Sequence, residues 1–179
     1  IVSLSPSATE MLFYIGAGNQ VVGRTNACNY PEEVHKVTDI GSVFPANIEA
    51  ILRLKPGLVL MASGSESVRE ELKRWGIHVH TFQPRRLKDI AIQMRALGHL
   101  TNRVETTNAR AIKFEKSLNA LRVQPTQTRP TVYWEIWTQP MMTVGNTSFV
   151  NDLIEWAGGR NIFAHADTPW PKINGEAVV

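Results

Sequence analysis

The stretch Thr101-Asn-Arg-Val-Glu-Thr-Thr-Asn-Ala-Arg110 continues through Ala111-Ile-Lys-Phe-Glu-Lys-Ser-Leu-Asn-Ala-Leu-Arg-Val123 with no glycine or proline before Pro125. It reads as one helix over 101–123, with Thr101 or Asn102 as N-cap, where a short polar side chain accepts from free backbone N–H groups. Ala111, Phe114, Leu118 and Leu121 recur at spacings of three and four, which predicts one buried stripe. Arg103, Glu105, Arg110, Lys113 and Lys116 fall on the other face, toward water. At 1.5 Å per residue the helix spans about 30 Å, the diameter of a small domain. Such a helix between two βα segments predicts a strut joining two lobes.

Before the strut, strands and helices alternate. Ile1-Val2-Ser3-Leu4 reads as a strand, and Ser7 with Glu10 three residues on as the capping box of a helix through Met11, Leu12 and Ile15. Gly16 and Gly18 close that helix and precede a strand at Val21-Val22-Gly23. A dinucleotide fingerprint needs its glycines after a strand and before a helix, so that reading fails. Residues 26–42 read as loop, with a turn at Asn29-Tyr30-Pro31. Asn47 caps a short helix carrying Ile48, Ile51, Leu52 and Leu54. Leu58-Val59-Leu60-Met61 is an apolar run expected of a strand covered on both faces. Ser63-Gly64-Ser65 leads into a helix with a Ser67/Glu70 capping box and a stripe of Val68, Leu72 and Trp75. Ile77 to Phe82 reads as a strand, and Leu87, Ile90, Ala91, Met94 and Leu97 mark the next helix.

Beyond the strut, Thr131 to Trp137 is β-branched and aromatic, as a strand requires, and Phe149 to Trp156 forms a helix ended by Gly158-Gly159. The pattern predicts parallel α/β lobes, with about four strands in the first half and one clear strand in the second. The divisions are an N-terminal lobe over 1–100, the interlobe helix over 101–123, and a partial C-terminal lobe over 124–179. The chain opens within a strand and closes on Glu176-Ala-Val-Val179, a helix just starting. A fragment is therefore expected, its second lobe truncated.

Composition narrows the function. The 179 residues, 43% hydrophobic, suffice for a core, and 19 basic residues against 16 acidic leave a modest +3. The basic residues are scattered, with no aromatic-interleaved basic face, so nucleic acid is not expected as a partner. A single cysteine, Cys28, excludes an internal disulfide and a cysteine-based zinc site. No run reaches the ~18 apolar residues of a membrane span.

Nothing reads as a catalytic constellation. Ser3, Ser5 and Ser7 lack a nucleophile-elbow context and read as strand end and helix cap. His78 and His80 share one strand face but lack a third ligand at a telling spacing. The aromatics carry more. Pro169-Trp170-Pro171 fixes a tryptophan in a stiff, non-helical segment, and Trp134, Trp137 and Phe44 add flat apolar surface. Such faces cover a lobe's edge, wall a pocket for a bulky ligand, or dock another protein.

Several motifs, taken together, resemble a known family. They are Ile1-Val-Ser-Leu-Ser-Pro-Ser-Ala-Thr-Glu10, Val22-Gly23, Asn29-Tyr30-Pro31, Asn47-Ile-Glu-Ala-Ile51 with Leu54-Lys-Pro-Gly-Leu58-Val, Gly158-Gly-Arg-Asn-Ile-Phe163 and Pro169-Trp-Pro171. The chain is similar throughout to the helical-backbone substrate-binding proteins of bacterial ABC importers, and most of all to the cobalamin-binding branch. The resemblance implies two Rossmann-like α/β lobes with parallel sheets, joined by a backbone helix, with a small-molecule ligand held between them. It implies a corrinoid, haem or iron-siderophore as ligand, no catalysis and no resident cofactor. The protein would sit in the periplasm or outside the cell, lipid-anchored or free, with an ABC permease as partner. Permease docking falls on Glu49 and Glu176. The cleft tryptophan of the cobalamin receptors is matched by Trp170, while Ala27, Val43 and Met142 stand where that branch has aromatics; Phe44 and Trp137 are the compensating candidates. Tyr30 belongs to a turn shared across ligand types. The ligand set of the metal-binding branch is not recognisable. From a different class, a small α/β enzyme or cofactor-carrying domain on the same scaffold is the alternative, and a sensor without a transported ligand is a third reading.

Overall fold

Val2–Ser3 (β1), Gly23–Arg24 (β2), Thr38–Asp39 (β3), Leu58–Met61 (β4) and His78–Thr81 (β5) form a parallel sheet ordered β3-β2-β1-β4-β5. Val2 sits in register between Gly23 and Val59. All four residues of β4 are buried, as the apolar run requires. Val2, Leu4, Ile40, Ile51, Val59, Met61 and Leu72 make one contiguous core cluster. The computed structural model describes residues 1–64, 66–123 and 128–178.

The chain divides into two compact units, Ile1–Gln83 with Gln93–Arg110, and Pro84–Ile92 with Ala111–Val179. The helices are Pro6–Tyr14 (α1), Ile48–Arg53 (α2), Glu66–Arg74 (α3), Leu87–Leu100 (α4), Val104–Ala120 (α5) and Phe149–Trp156 (α6). The strut is thus shorter than the expected 101–123. Thr101 and Asn102 do not cap it; they end α4. The N–H of Arg103 bonds Gly98 O and that of Asn102 bonds His99 O, with Asn102 at φ 55°. This is the left-handed helix stop that favours Gly or Asn. Ala111 is buried as predicted, but Leu121 lies past the helix end and is 75% exposed. Pro125, expected to stop the run, lies outside the described residues.

Other local readings shift for identifiable reasons. Ser5, not Ser7, caps α1: its Oγ accepts from Ala8 N–H, and Pro6 takes the first helical position, where its missing N–H costs nothing. Asn47 caps α2 as expected, accepting from Ala50 N–H at 2.9 Å. The Ser67/Glu70 box does not form, because α3 already begins at Glu66 and Glu70 pairs with Lys73. Ser65 lies outside the described residues. Trp75 follows the helix and is 64% exposed, off the predicted stripe. Residues 26–42, read as loop, contain a 3₁₀ turn at Glu32–Lys36 and the edge strand β3, making five strands rather than four.

In the second unit the 131–137 run is two strands. Thr131–Val132 (β6) pairs in parallel with Arg160–Asn161 (β9), while Glu135–Thr138 (β7) turns back on Met141–Thr143 (β8) as an antiparallel hairpin. A buried amide joins them to α6: Asn161 Nδ2 donates to Val144 O at 2.8 Å and to Asn151 Oδ1 at 2.9 Å, and its Oδ1 accepts from Phe163 N–H. Asp152, buried on α6, accepts from Arg86 Nε at 3.0 Å and from Leu87 N–H at 2.9 Å, clamping the start of α4. The described part of the chain's end is a 3₁₀ turn, Gly175–Val178, where a starting helix was expected; Val179 lies outside the described residues.

Gly98 lets α5 approach α4, since a Cβ there would stand 2.7 Å from the Cβ and Oγ1 of Thr107. Overpacking costs about 1–3 kcal/mol and a β-branched residue adds helix cost, so Gly98→Val should lower Tm by roughly 5–10 °C. An unchanged thermal melt would show that the helices separate freely.

Candidate ligand-binding site

Because all five strands of the first unit are parallel, their carboxyl ends share one edge. Winding reverses between β1 and β4, the chain leaving β1 toward β2 on one side while β4 and β5 lie on the other. At such a switch point the loops diverge and leave a crevice outside the strand ends. The crevice is present. Leu4, Ser5 and Pro6 follow β1; Met61, Ala62 and Ser63 end and follow β4; Val43, Phe44 and Ala46 come from the loop after β3, with Val68 of α3. It is apolar and holds about 130 Å³. Typical ligand pockets hold ~300–1,000 Å³, so the crevice has room for no more than an edge or substituent of a bulky molecule.

The loop carrying Val43 and Phe44 is held by short local bonds. Asp39 Oδ1 accepts from Gly41 N–H at 2.8 Å, Asn26 N–H bonds Gly41 O at 2.9 Å, and Ser42 Oγ donates to Pro45 O at 3.1 Å. Asp39 Oδ2 also pairs with Arg24 at 3.0 Å. Phe44 is left 66% exposed at the crevice rim. Ala27 is exposed in the turn after β2, on the same edge but outside the crevice lining. Beneath it, Thr9 Oγ1, Ser3, Thr25 and the buried Cys28 thiol form a closed hydroxyl–thiol cluster, so the free cysteine is packing. A larger open groove lies at the amino ends, lined by Phe13, Val22, Lys36, Thr38 and Leu54. It is the edge at which ligands of open α/β sheets do not bind.

In the second unit the hairpin carries a third segment. Thr143 N–H bonds Pro171 O at 3.1 Å, Gly145 N–H bonds Pro169 O at 3.0 Å, and Ile173 N–H bonds Met141 O at 3.0 Å. Met142 bridges Lys172 antiparallel. Across β7–β8, Met142 stands opposite Trp137. Directly opposed residues share a face, and the diagonal neighbour two residues on shares it too. The register therefore sets Trp137, Met142, Lys172 and Trp170 on one face. Trp137 is 62% exposed, its indole Nε1 donating to Gln139 O at 2.8 Å, and Trp170 is 36% exposed. Beside the hairpin, partial burial and the Glu135 carboxylate hold the Tyr133 phenol above its usual range, so it stays a donor to Glu135.

The remaining candidates are surface groups. Glu49 is exposed in the first turn of α2 and paired with Arg53 at 2.9 Å. Glu176 is exposed in the 3₁₀ turn of the second unit. His78 and His80 lie on the edge strand β5, and His80 Nε2 meets Gln93 Oε1 at 3.4 Å. Among the described residues no three His, Cys, Asp or Glu side chains gather as a metal site, and no helix is long and apolar enough to cross a membrane.

The sequence profile of the periplasmic binding protein family matches residues 1–179. This chain belongs to that family. The vitamin B12-binding protein of Yersinia pestis (strain Pestoides F) is 30% identical over 182 residues, covering 100% of this chain and 65% of that protein. The chain thus spans about two thirds of the length of the curated relatives it matches. The crystal structure of the periplasmic vitamin B12 binding protein of Vibrio cholerae superposes with a TM-score of 0.84 at 27% identity, over 99% of this chain and 71% of that one. The periplasmic heme-binding protein of Roseiflexus sp. RS-1 superposes with 0.83 at 25% identity, again over 99% of this chain and 71% of that one.

Within this member of the periplasmic binding protein family, the sequence pointed to Trp170, Met142, Trp137, Val43 and Phe44 one by one. It did not point to Leu4, Pro6, Met61 or Ala62, whose apolar character reads as core. It also missed Lys172, whose place depends on a pairing 30 positions away in sequence. Gly145 follows β8 where the 166–171 segment runs close alongside, the two forming one aromatic ribbon: a Cβ there would collide with the backbone oxygens of Thr168 and Ala166. Gly145→Ala should cost about 3 kcal/mol, since backbone cannot yield as a side chain can. Chemical denaturation of this variant checks it; wild-type stability would show that the Pro169–Pro171 segment is not seated on β8.

Proposed function

We propose that this chain is the ligand-capturing part of an extracytoplasmic receptor that binds a corrinoid or iron-chelate-type compound and delivers it to an ABC transporter permease. The observation that carries this reading is the apolar crevice at the strand-order reversal, Leu4, Pro6, Phe44 and Met61, in a chain of the periplasmic binding protein family. The exposed tryptophans of the ribbon support it, since rigid aromatic faces bind flat ligands with little ordering cost. Relatives named for vitamin B12 and for heme support this ligand class. With Ala27, Val43 and Met142 in place of aromatics, Phe44 and Trp137 supply the flat contacts alongside Trp170. The division into a lobe over 1–100, a backbone segment over 101–123 built on α5, and a partial lobe over 124–179 goes with this reading, as does a periplasmic or extracellular location. No catalytic step belongs to it.

Calorimetric titration of the full-length protein with cobalamin, cobinamide and haemin, followed by absorbance, tests the ligand class. Sub-micromolar binding of at least one is expected, and Trp170→Ala should weaken it by about tenfold to hundredfold, the loss of one buried aromatic contact of about 1.4–3 kcal/mol. Absence of binding to all three would sink the reading.

Glu49 and Glu176 are assigned to permease docking. The exposed Glu49–Arg53 pair contributes only ~0.5 kcal/mol, so charge reversal leaves the fold intact. Glu49→Lys with Glu176→Lys should abolish transport in vesicles carrying the permease while ligand affinity stays at wild type. Transport at the wild-type rate would remove the docking assignment.

A further inference from the structure

We infer that Lys172 is an anion anchor set into the aromatic ribbon, and that it selects carboxylate-bearing ring ligands over neutral ones. The inference rests on the receptor reading above and deepens it. Lys172 stands directly opposite Met142 in the antiparallel register, and Met142 directly opposite Trp137. Trp170, two residues before Lys172, lies on the same face by alternation. One cation is thus placed in the same register as two exposed tryptophans and the half-buried Met142, where its four-carbon stem can lie along apolar surface while the ammonium stays free.

The charges of the ribbon single it out. In residues 135–143 and 169–173 the only ionisable side chains are Glu135 and Lys172. Glu135 is opposite Thr143, one position off the Met142 row, and its carboxylate is occupied by the Tyr133 and Thr138 hydroxyls at 3.3 and 3.2 Å. Asp167, nearby in sequence, accepts from Asn146 Nδ2 at 2.8 Å. Lys172 forms no ion pair among the described residues and is exposed, on the wall of an open groove with Phe163, His165 and Asn174. A cation left unpaired beside a flat apolar face suits a planar body that carries a peripheral carboxylate: the ring desolvates the tryptophans, and the carboxylate takes a charge-assisted bond from the ammonium. A neutral ring gains only the first of these.

Haemin and its dimethyl ester are the same macrocycle with and without free carboxylates, and cobinamide is a ring ligand lacking them. The full-length protein should bind haemin at least about tenfold tighter than the ester at low salt, the ratio expected of one charge-assisted contact. Added salt should narrow the gap. Lys172→Gln should abolish the preference while leaving ester and cobinamide affinities unchanged, and Lys172→Arg should retain it. Equal affinity for haemin and ester, or a preference for cobinamide that Lys172→Gln does not alter, would overturn the anchor and leave the receptor reading standing. Failure of wild type to bind any of the three would overturn the receptor reading, and the anchor with it.

Discussion

Five parallel strands wound in the order β3-β2-β1-β4-β5 oblige every strand of the first unit to end on one edge, and oblige the loops after β1 and β4 to part where the winding reverses. The crevice is what that parting leaves. Its floor is made of Leu4, which follows β1, and Met61, which ends β4, whose side chains also belong to the core. The crevice floor and the core therefore share the same side chains, and the floor is rigid because it is close-packed. The rim is held differently: Val43 and Phe44 sit on a loop fixed by hydrogen bonds of Asp39, Gly41 and Ser42 rather than by burial.

The second unit reaches its aromatic surface by another route. Here backbone hydrogen bonds between 141–145 and 169–173 set the register, and the register sets the face. Prolines on both sides of Trp170 suit an outer segment of a sheet, since they donate nothing and need only present their carbonyls. Those carbonyls are the ones used, by Thr143 and Gly145. The chain thus shows a tryptophan without burying it, and binding a ligand would remove that exposed apolar area from water at about 25 cal/mol per Å².

What the sequence made legible follows the range of the interaction involved. The β4 strand, the Asn47 cap and the Gly158 stop are written in adjacent residues and were found where expected. The edge strand β3 was not legible, because two exposed polar residues, Thr38 and Asp39, have no periodicity to show. The Ser7/Glu10 spacing imitates a capping box inside the helix, whereas Pro6 at the first helical position makes Ser5 the cap. A long helix is present in this stretch but shorter than its periodicity suggests, since the turn that ends α4 at Asn102 has no glycine to announce it. The companionship of Trp137, Met142, Lys172 and Trp170 was beyond reach, because it depends on pairings across separate segments. Family likeness named three of these residues individually; only the register joins them to the fourth.

Hydrogen exchange on the full-length protein, with and without saturating haemin, tests the central claim most directly. The account predicts slowed exchange in two places: the carboxyl edge of the first unit, residues 42–46 and 61–64, and the ribbon, residues 137–143 and 170–173. Exchange around Val22, Lys36 and Thr38, at the amino edge, should not change. Protection confined to that amino edge, or bound haemin with no protection at the crevice and ribbon, would contradict it.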